Sequence, residues 1–168
     1  MTVFILEGCD AVGKSTLSTA LSQKLNMSVY HGSSFEASKS NNEVLFNSFL
    51  KYTDMDDIII DRYTYSNLVY ATLYKDYSII TYEQLERIEG LIKDKAVLVY
   101  LYADSETIKN RLSNRGDDYV KANMIDSILS EYEKVLSKSQ LFKMKFDTNK
   151  LTTEQIVKKL AGLHEVIK

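Results

Sequence analysis

A continuous apolar run, Val3-Phe4-Ile5-Leu6, leads through Glu7 into Gly8-Cys9-Asp10-Ala11-Val12-Gly13-Lys14-Ser15, and Leu17, Ala20, Leu21 and Leu25 follow at three- and four-residue spacing. The run is read as a buried parallel strand and the spaced residues as one face of a helix. Two glycines separated by four residues and followed by Lys-Ser match the pattern that wraps backbone N–H groups around phosphate oxygens. In that pattern Gly8 and Gly13 allow the tight backbone path. Lys14 brings a charge to the transferring phosphates, and the Ser15 hydroxyl is a ligand for Mg²⁺. Residues Gly8 to Thr16 are therefore the candidate site for a nucleoside triphosphate, with ATP and Mg²⁺ as the expected cofactors.

The alternation continues along the chain. Strands are predicted near 28–31, 57–60, 96–102 and 141–146. Helices are predicted over 43–52, 66–74, 82–93, 106–112 and 123–136, and from Thr153 onward, where Thr152 and Gln155 are spaced as a capping box. Strands and helices in this order imply an α/β architecture with a parallel sheet covered on both faces. The least regular stretches, Gly32–Asn42 and Ser113–Tyr119, are polar. Loops beyond the carboxyl ends of such strands are where ligands bind.

Composition narrows the partners. The length of 168 residues is that of one domain, 1–168, and with no proline in the chain no stiff linker divides it. Lys and Arg number 21 against 23 Asp and Glu, a net charge of −2, and no basic run exceeds Lys158-Lys159. A footprint for nucleic-acid polymers is missing, which favours a small-molecule nucleotide substrate. The apolar run at 2–6 lacks a basic flank, and the longest other stretch, Ala96–Ala103, is far short of a membrane span of about 20 residues. A soluble protein, without membrane association, is expected. The single Cys9 cannot form an intrachain disulfide, which fits a cytoplasmic setting. Its place beside a helix N-terminus favours a thiolate.

A second site is read from Ile58-Ile59-Ile60-Asp61-Arg62-Tyr63, where a buried strand ends in a carboxylate and a guanidinium. Asp61 there can hold Mg²⁺ directly or through water, and Arg62 can grip a phosphate with two hydrogen bonds.

Asp61-Arg62-Tyr63-Thr64-Tyr65-Ser66-Asn67-Leu68-Val69-Tyr70 resembles the signature that follows the third strand of thymidylate kinases. Glu7-Gly8-Cys9-Asp10 is similar to the opening of their phosphate loop, and the segment from Val97 through Asp104 to Gly116 resembles their strand, helix and lid. The resemblance spans roughly residues 2–120. It implies a three-layer P-loop kinase fold with a parallel five-stranded sheet flanked by helices and a short lid at about 113–120. It also implies transfer of the ATP γ-phosphoryl group to a deoxynucleoside monophosphate, dTMP to dTDP, and a homodimer as in similar kinases. Lys14, Asp61, Arg62 and Arg115 would be the catalytic set, with Arg111 beside Arg115 on the nucleotide. Arg62 would hold the acceptor's 5′-phosphate and Asp10 the sugar 3′-hydroxyl. Ser66 and Asn67 would face the pyrimidine edge, Tyr70 would fill the space of a ribose 2′-hydroxyl, and Phe35 or Phe46 would stack on the base.

The chain departs from that family in three places. No Arg lies between the phosphate loop and Asp61, the four arginines being Arg62, Arg87, Arg111 and Arg115; Lys39 and Lys51 are the available substitutes. The Phe-Pro-Arg element after the second strand is absent, and Asp117-Asp118-Tyr119 replaces the usual Asp-Arg of the lid. A deoxynucleoside kinase is the alternative reading, with Glu36 as the base that would take the 5′-hydroxyl proton. A nucleotide-dependent regulatory ATPase ranks lower, because Asp-x-x-Gly and Asn-Lys-x-Asp elements are missing. A small-metabolite kinase would share the phosphate loop but not the Asp61–Tyr70 segment.

Overall fold

In the computed structural model, which describes residues 1–32, 39–116 and 120–167, β1 (Val3–Glu7) occupies the centre of a five-stranded sheet. Its four apolar residues have no solvent exposure, which is why the run carries no polar alternation. β1 is paired in parallel with β3 (Ile58–Asp61) on one side and β4 (Ala96–Tyr102) on the other, with Val3 level with both Ile58 and Ala96. β2 (Ser28–Tyr30) and β5 (Phe142–Asp147) form the edges, giving the order β2-β3-β1-β4-β5, all parallel. Both edges are blunted. β2 is only three residues long, and β5 carries Lys143 and Lys145 along its length, features that discourage pairing with a further strand.

Seven α-helices flank the sheet in the described residues: α1 (Lys14–Leu25), α2 (Asn42–Leu50), α3 (Thr64–Leu73), α4 (Tyr82–Ile92), α5 (Ser105–Arg115), α6 (Ile125–Ser137) and α7 (Thr153–Ile167). α1 packs on α7, and α3 on α6. The predicted capping box is present: Thr152 N–H donates to Gln155 Oε1 at 2.9 Å, and Gln155 N–H to Thr152 Oγ1 at 3.2 Å. The predicted α/β class, the parallel sheet and the order of elements all stand. Most element ends shift by one or two residues, and one boundary moves further. Ser113–Arg115, read as part of an irregular lid, is the last turn of α5, which ends at Gly116 in the left-handed conformation (φ 65°). Asp117–Tyr119, the rest of that lid, lies outside the described residues, as do Phe35 and Glu36.

Strand order reverses at β1. The chain moves from β1 outward to β2 and returns through β3, then crosses to β4 on the other side. A crevice therefore opens at the carboxyl ends of β1 and its neighbours, where Gly8–Ser15 and Asp61–Arg62 both emerge.

Candidate active site

Gly8 leaves β1 at φ 147°, and a Cβ there would sit 2.3 Å from the Leu101 carbonyl oxygen, so only glycine lets the loop turn this close to β4. Cys9 and Val12 bury their side chains in the core and pin the loop from below. Gly13, with φ 95°, stands at the N-cap of α1 and brings no side-chain cap. The first turn of α1 thus keeps backbone donors for an anion.

Lys14 is buried, and its ammonium donates to the Gly8 and Cys9 carbonyls at 2.8 and 2.6 Å. Burial, followed by the positive charge of Arg62, pushes it down to about 8. The Ser15 hydroxyl lies 3.4 Å from Asp61 Oδ2 at the end of β3. A hydroxyl and a carboxylate are hard oxygen donors, and the pair suits a Mg²⁺ ion whose other positions are filled by water and phosphate. Among the described residues no group of three or more His, Cys, Asp or Glu side chains converges as a metal centre.

Asp10 and Arg62 form the second half of the site. Arg62 Nη2 donates to Asp10 Oδ1 at 2.6 Å, and the Tyr70 hydroxyl donates to Asp10 Oδ2 at 2.7 Å. Burial works against charge on Asp10, but Arg62, Lys14 and the bond from Tyr70 outweigh it and hold the carboxyl below the usual range. The Arg62 guanidinium also lies over the Tyr70 ring, 5.2 Å from its centre. Arg62 itself has φ 63°, a left-handed backbone that a non-glycine residue adopts at a cost, and here it marks the sharp turn from β3 into α3. A cavity of about 280 Å³ joins the two halves, lined by Asp10, Ala11, Gly13, Lys14, Ser15, Thr16, His31, Asp61, Arg62 and Arg115.

Other predicted residues are engaged elsewhere. Asn67 is buried; its amide donates to the Ser78 carbonyl at 2.9 Å and accepts from Ile80 N–H at 3.0 Å, so both ends hold the segment between α3 and α4 rather than a base edge. Phe46 is packed in the core with the Arg87 guanidinium 5.6 Å from its ring centre, and it does not line the cavity. Arg111 donates to the Ala11 carbonyl at 3.2 Å, to Thr148 Oγ1 at 3.1 Å and to the Thr148 carbonyl at 3.1 Å, tying the phosphate loop to the turn after β5. The Cys9 thiolate expected from its place in the loop is overturned: burial and then the negative charge of Asp10 push the thiol up to about 11.

Sequence reasoning missed the role of Glu7. This fully buried carboxylate accepts Tyr63 N–H at 2.7 Å, Ser66 N–H at 3.3 Å and Ser66 Oγ–H at 2.5 Å, with the Tyr132 hydroxyl at 3.4 Å. Burial raises its pKa despite these bonds. The N-cap of α3, Tyr63, makes no side-chain cap of its own, so a residue of β1 caps the helix that carries Tyr70. The available signal was a carboxylate at the end of an otherwise apolar central strand. Ser66 belongs to the same buried network, its Oγ 2.9 Å from the Tyr132 hydroxyl.

No protein-family model matches the chain. The uncharacterized SPbeta prophage-derived protein YorR of Bacillus subtilis strain 168 is 49% identical over 165 residues, covering 98% of this chain and 100% of the relative. The crystal structure of YorR protein from Bacillus subtilis in complex with phosphorylated GDP aligns with a TM-score of 0.94 at 48% identity, over 98% of this chain and 96% of that one. Deoxyadenosine kinase from M. mycoides, with products dCMP and dCDP, aligns at 0.65 and 15% identity over 99% of this chain and 100% of that one. Thymidylate kinase from Candida albicans aligns at 0.62 and 20% identity, over 98% and 91%. The last two likenesses establish a fold shared with deoxynucleoside and thymidylate kinases. The chain belongs to the family of YorR, on the P-loop kinase fold.

Proposed function

We propose that this protein is a kinase that transfers the γ-phosphoryl group of ATP, with Mg²⁺, to the 5′-phosphate of a deoxynucleoside monophosphate, with dTMP as the first acceptor to test. One observation carries the reading: Arg62 and Asp10, the latter held by the Tyr70 hydroxyl from behind, line the same cavity as Lys14, Ser15, Asp61 and Arg115. A guanidinium at the end of β3 can bind an acceptor phosphate, while Lys14 and the first turn of α1 bind the donor. Mg²⁺ on Ser15 and Asp61 would neutralise charge on the donor phosphates. A monophosphate oxygen is already anionic, so this chemistry needs alignment and charge neutralisation rather than a general base.

Within this scheme Tyr70 excludes a 2′-hydroxyl, Asp10 receives the 3′-hydroxyl and Arg115 reaches the transferred group. Arg111 keeps the phosphate loop in register with the turn after β5. The phosphorylated GDP in YorR favours a second reading of the base, in which the acceptor is a guanine nucleotide. The deciding experiment incubates the protein with ATP and Mg²⁺ against dTMP, dGMP, TMP, GMP and the corresponding nucleosides, with products separated by anion exchange. Diphosphate products, and more from the deoxy than from the ribo form, support the proposal. Phosphorylation of nucleosides alone replaces it with a nucleoside kinase.

A further inference from the structure

The cavity is bordered by three cationic side chains, Lys14, Arg62 and Arg115, and by one further donor, His31, just beyond β2. Two of the cations are already engaged. Lys14 bonds two loop carbonyls, and Arg62 spends part of its charge on Asp10. The His31 ring is largely exposed, its Nδ1 lies 3.9 Å from Asp61 Oδ2, and among the described residues it makes no hydrogen bond.

The backbone holds His31 at this place. The Tyr52 hydroxyl donates to the His31 carbonyl at 3.4 Å. A Cβ on the next residue, Gly32, would come within 2.7 Å of the Ile60 side chain and 2.8 Å of the Arg62 carbonyl oxygen. The absence of that carbon lets the chain leaving β2 lie directly against the turn from β3 into α3. His31 is thereby brought to the cavity edge next to Asp61 and Arg62.

We infer that His31 is an acceptor-binding residue that donates an imidazole N–H to the 5′-phosphate from the side of the cavity formed by β2, sharing the dianion with Arg62. This rests on the monophosphate reading given above. A phosphate dianion offers more acceptor positions than one guanidinium can fill when that guanidinium also serves Asp10. No arginine occurs between Lys14 and Asp61 to supply the second donor, and His31 is the side chain in that interval, among the described residues beyond the first turn of α1, that borders the cavity.

The test uses the full chain with His31→Ala, His31→Gln and His31→Arg, measuring steady-state kinetics with ATP and Mg²⁺ against dTMP and dGMP, with thymidine and deoxyguanosine in parallel. His31→Ala is expected to raise the KM for the monophosphate about tenfold, with the KM for ATP changed less than about twofold. His31→Gln and His31→Arg, which keep an N–H donor, recover most of the loss. An unchanged acceptor KM in His31→Ala overturns the inference. So does a fall in kcat alone that His31→Arg does not repair, since His31 would then act through Asp61. A native protein that phosphorylates only nucleosides overturns both this inference and the monophosphate reading. Native turnover of monophosphates with an indifferent His31→Ala overturns this inference alone.

Discussion

Arg62 and Asp10, 52 positions apart in the chain, meet at 2.6 Å across the crevice between β1 and β3. The pair joins the phosphate loop to the turn that opens α3, so these two segments are set relative to each other by one charge-assisted bond. On the proposed function Arg62→Ala removes the acceptor's main donor, and it leaves Asp10 without its cation. An acceptor kcat/KM lower by roughly ten- to a hundredfold is expected, together with a stability loss of about 1–3 kcal/mol by urea unfolding, the lower end reflecting the partial exposure of both partners. Unchanged acceptor kinetics would remove Arg62 from the site.

Lys14→Met should abolish phosphoryl transfer without weakening the ligand-free fold. In the native protein the ammonium is buried, and its pKa is lowered from 10.5 to about 8. Between these values the unfolded chain binds more protons than the folded one, so stability rises with pH from about 8 to 10.5. Below pH 8 the buried charge costs up to about 3 kcal/mol, a penalty the methionine variant lacks. Its unfolding free energy should therefore equal or exceed that of the native protein at pH 7, with the difference shrinking toward pH 10. Binding of ATP to the native protein at pH 9 should also take up a proton, measurable as a buffer-dependent calorimetric enthalpy.

Glu7 is the acidic counterpart, and its pH dependence runs the other way. Burial raises its folded-state pKa above 4.5, so its contribution to stability is full below that value and declines as pH rises through the raised pKa. Glu7→Gln keeps an acceptor for Tyr63 N–H and cannot ionise. Its stability should fall less than that of the native protein as pH rises from 4.5 through the raised Glu7 pKa. Glu7→Ala, which uncaps α3 and orphans Ser66 and Tyr63, should cost about 2–4 kcal/mol by thermal or urea unfolding. An alanine variant as stable as the native protein would contradict the capping role.

Tyr70 combines a ring beside Arg62 with a hydroxyl on Asp10. Tyr70→Phe should preserve the preference for deoxy over ribo acceptors, since the ring remains. Tyr70→Ala should narrow it by opening the volume that a 2′-hydroxyl needs. The ratio of kcat/KM for dTMP and TMP reports this directly; an unchanged ratio in the alanine variant with lowered stability would make Tyr70 a packing residue.

The parts of this molecule that were legible in the sequence are those encoded locally. The apolar run of β1, the glycine loop and the spaced leucines of α1 specify one another within 25 residues, and Ile58–Arg62 carries its strand and its charged end together. Residues whose roles depend on distant partners were not legible. Glu7 caps a helix that begins 57 positions later, Arg111 bonds Ala11 from 100 positions away, and Asn67 is consumed by backbone at 78 and 80. No motif singles out His31, because a cavity-lining position is a property of the assembled sheet, and the reading of Cys9 as activated fails because its depth of burial has no sequence signal.

On the proposed function the accepting atom is a phosphate oxygen. This is tested most directly by presenting the protein with ATP labelled at the γ-phosphoryl group, Mg²⁺, and equal concentrations of dTMP and thymidine, and locating the label by mass spectrometry. Label is expected on the β-phosphoryl of dTDP, with little transfer to thymidine. Labelled dTMP formed from thymidine, with no diphosphate from dTMP or from dGMP supplied in its place, would contradict it.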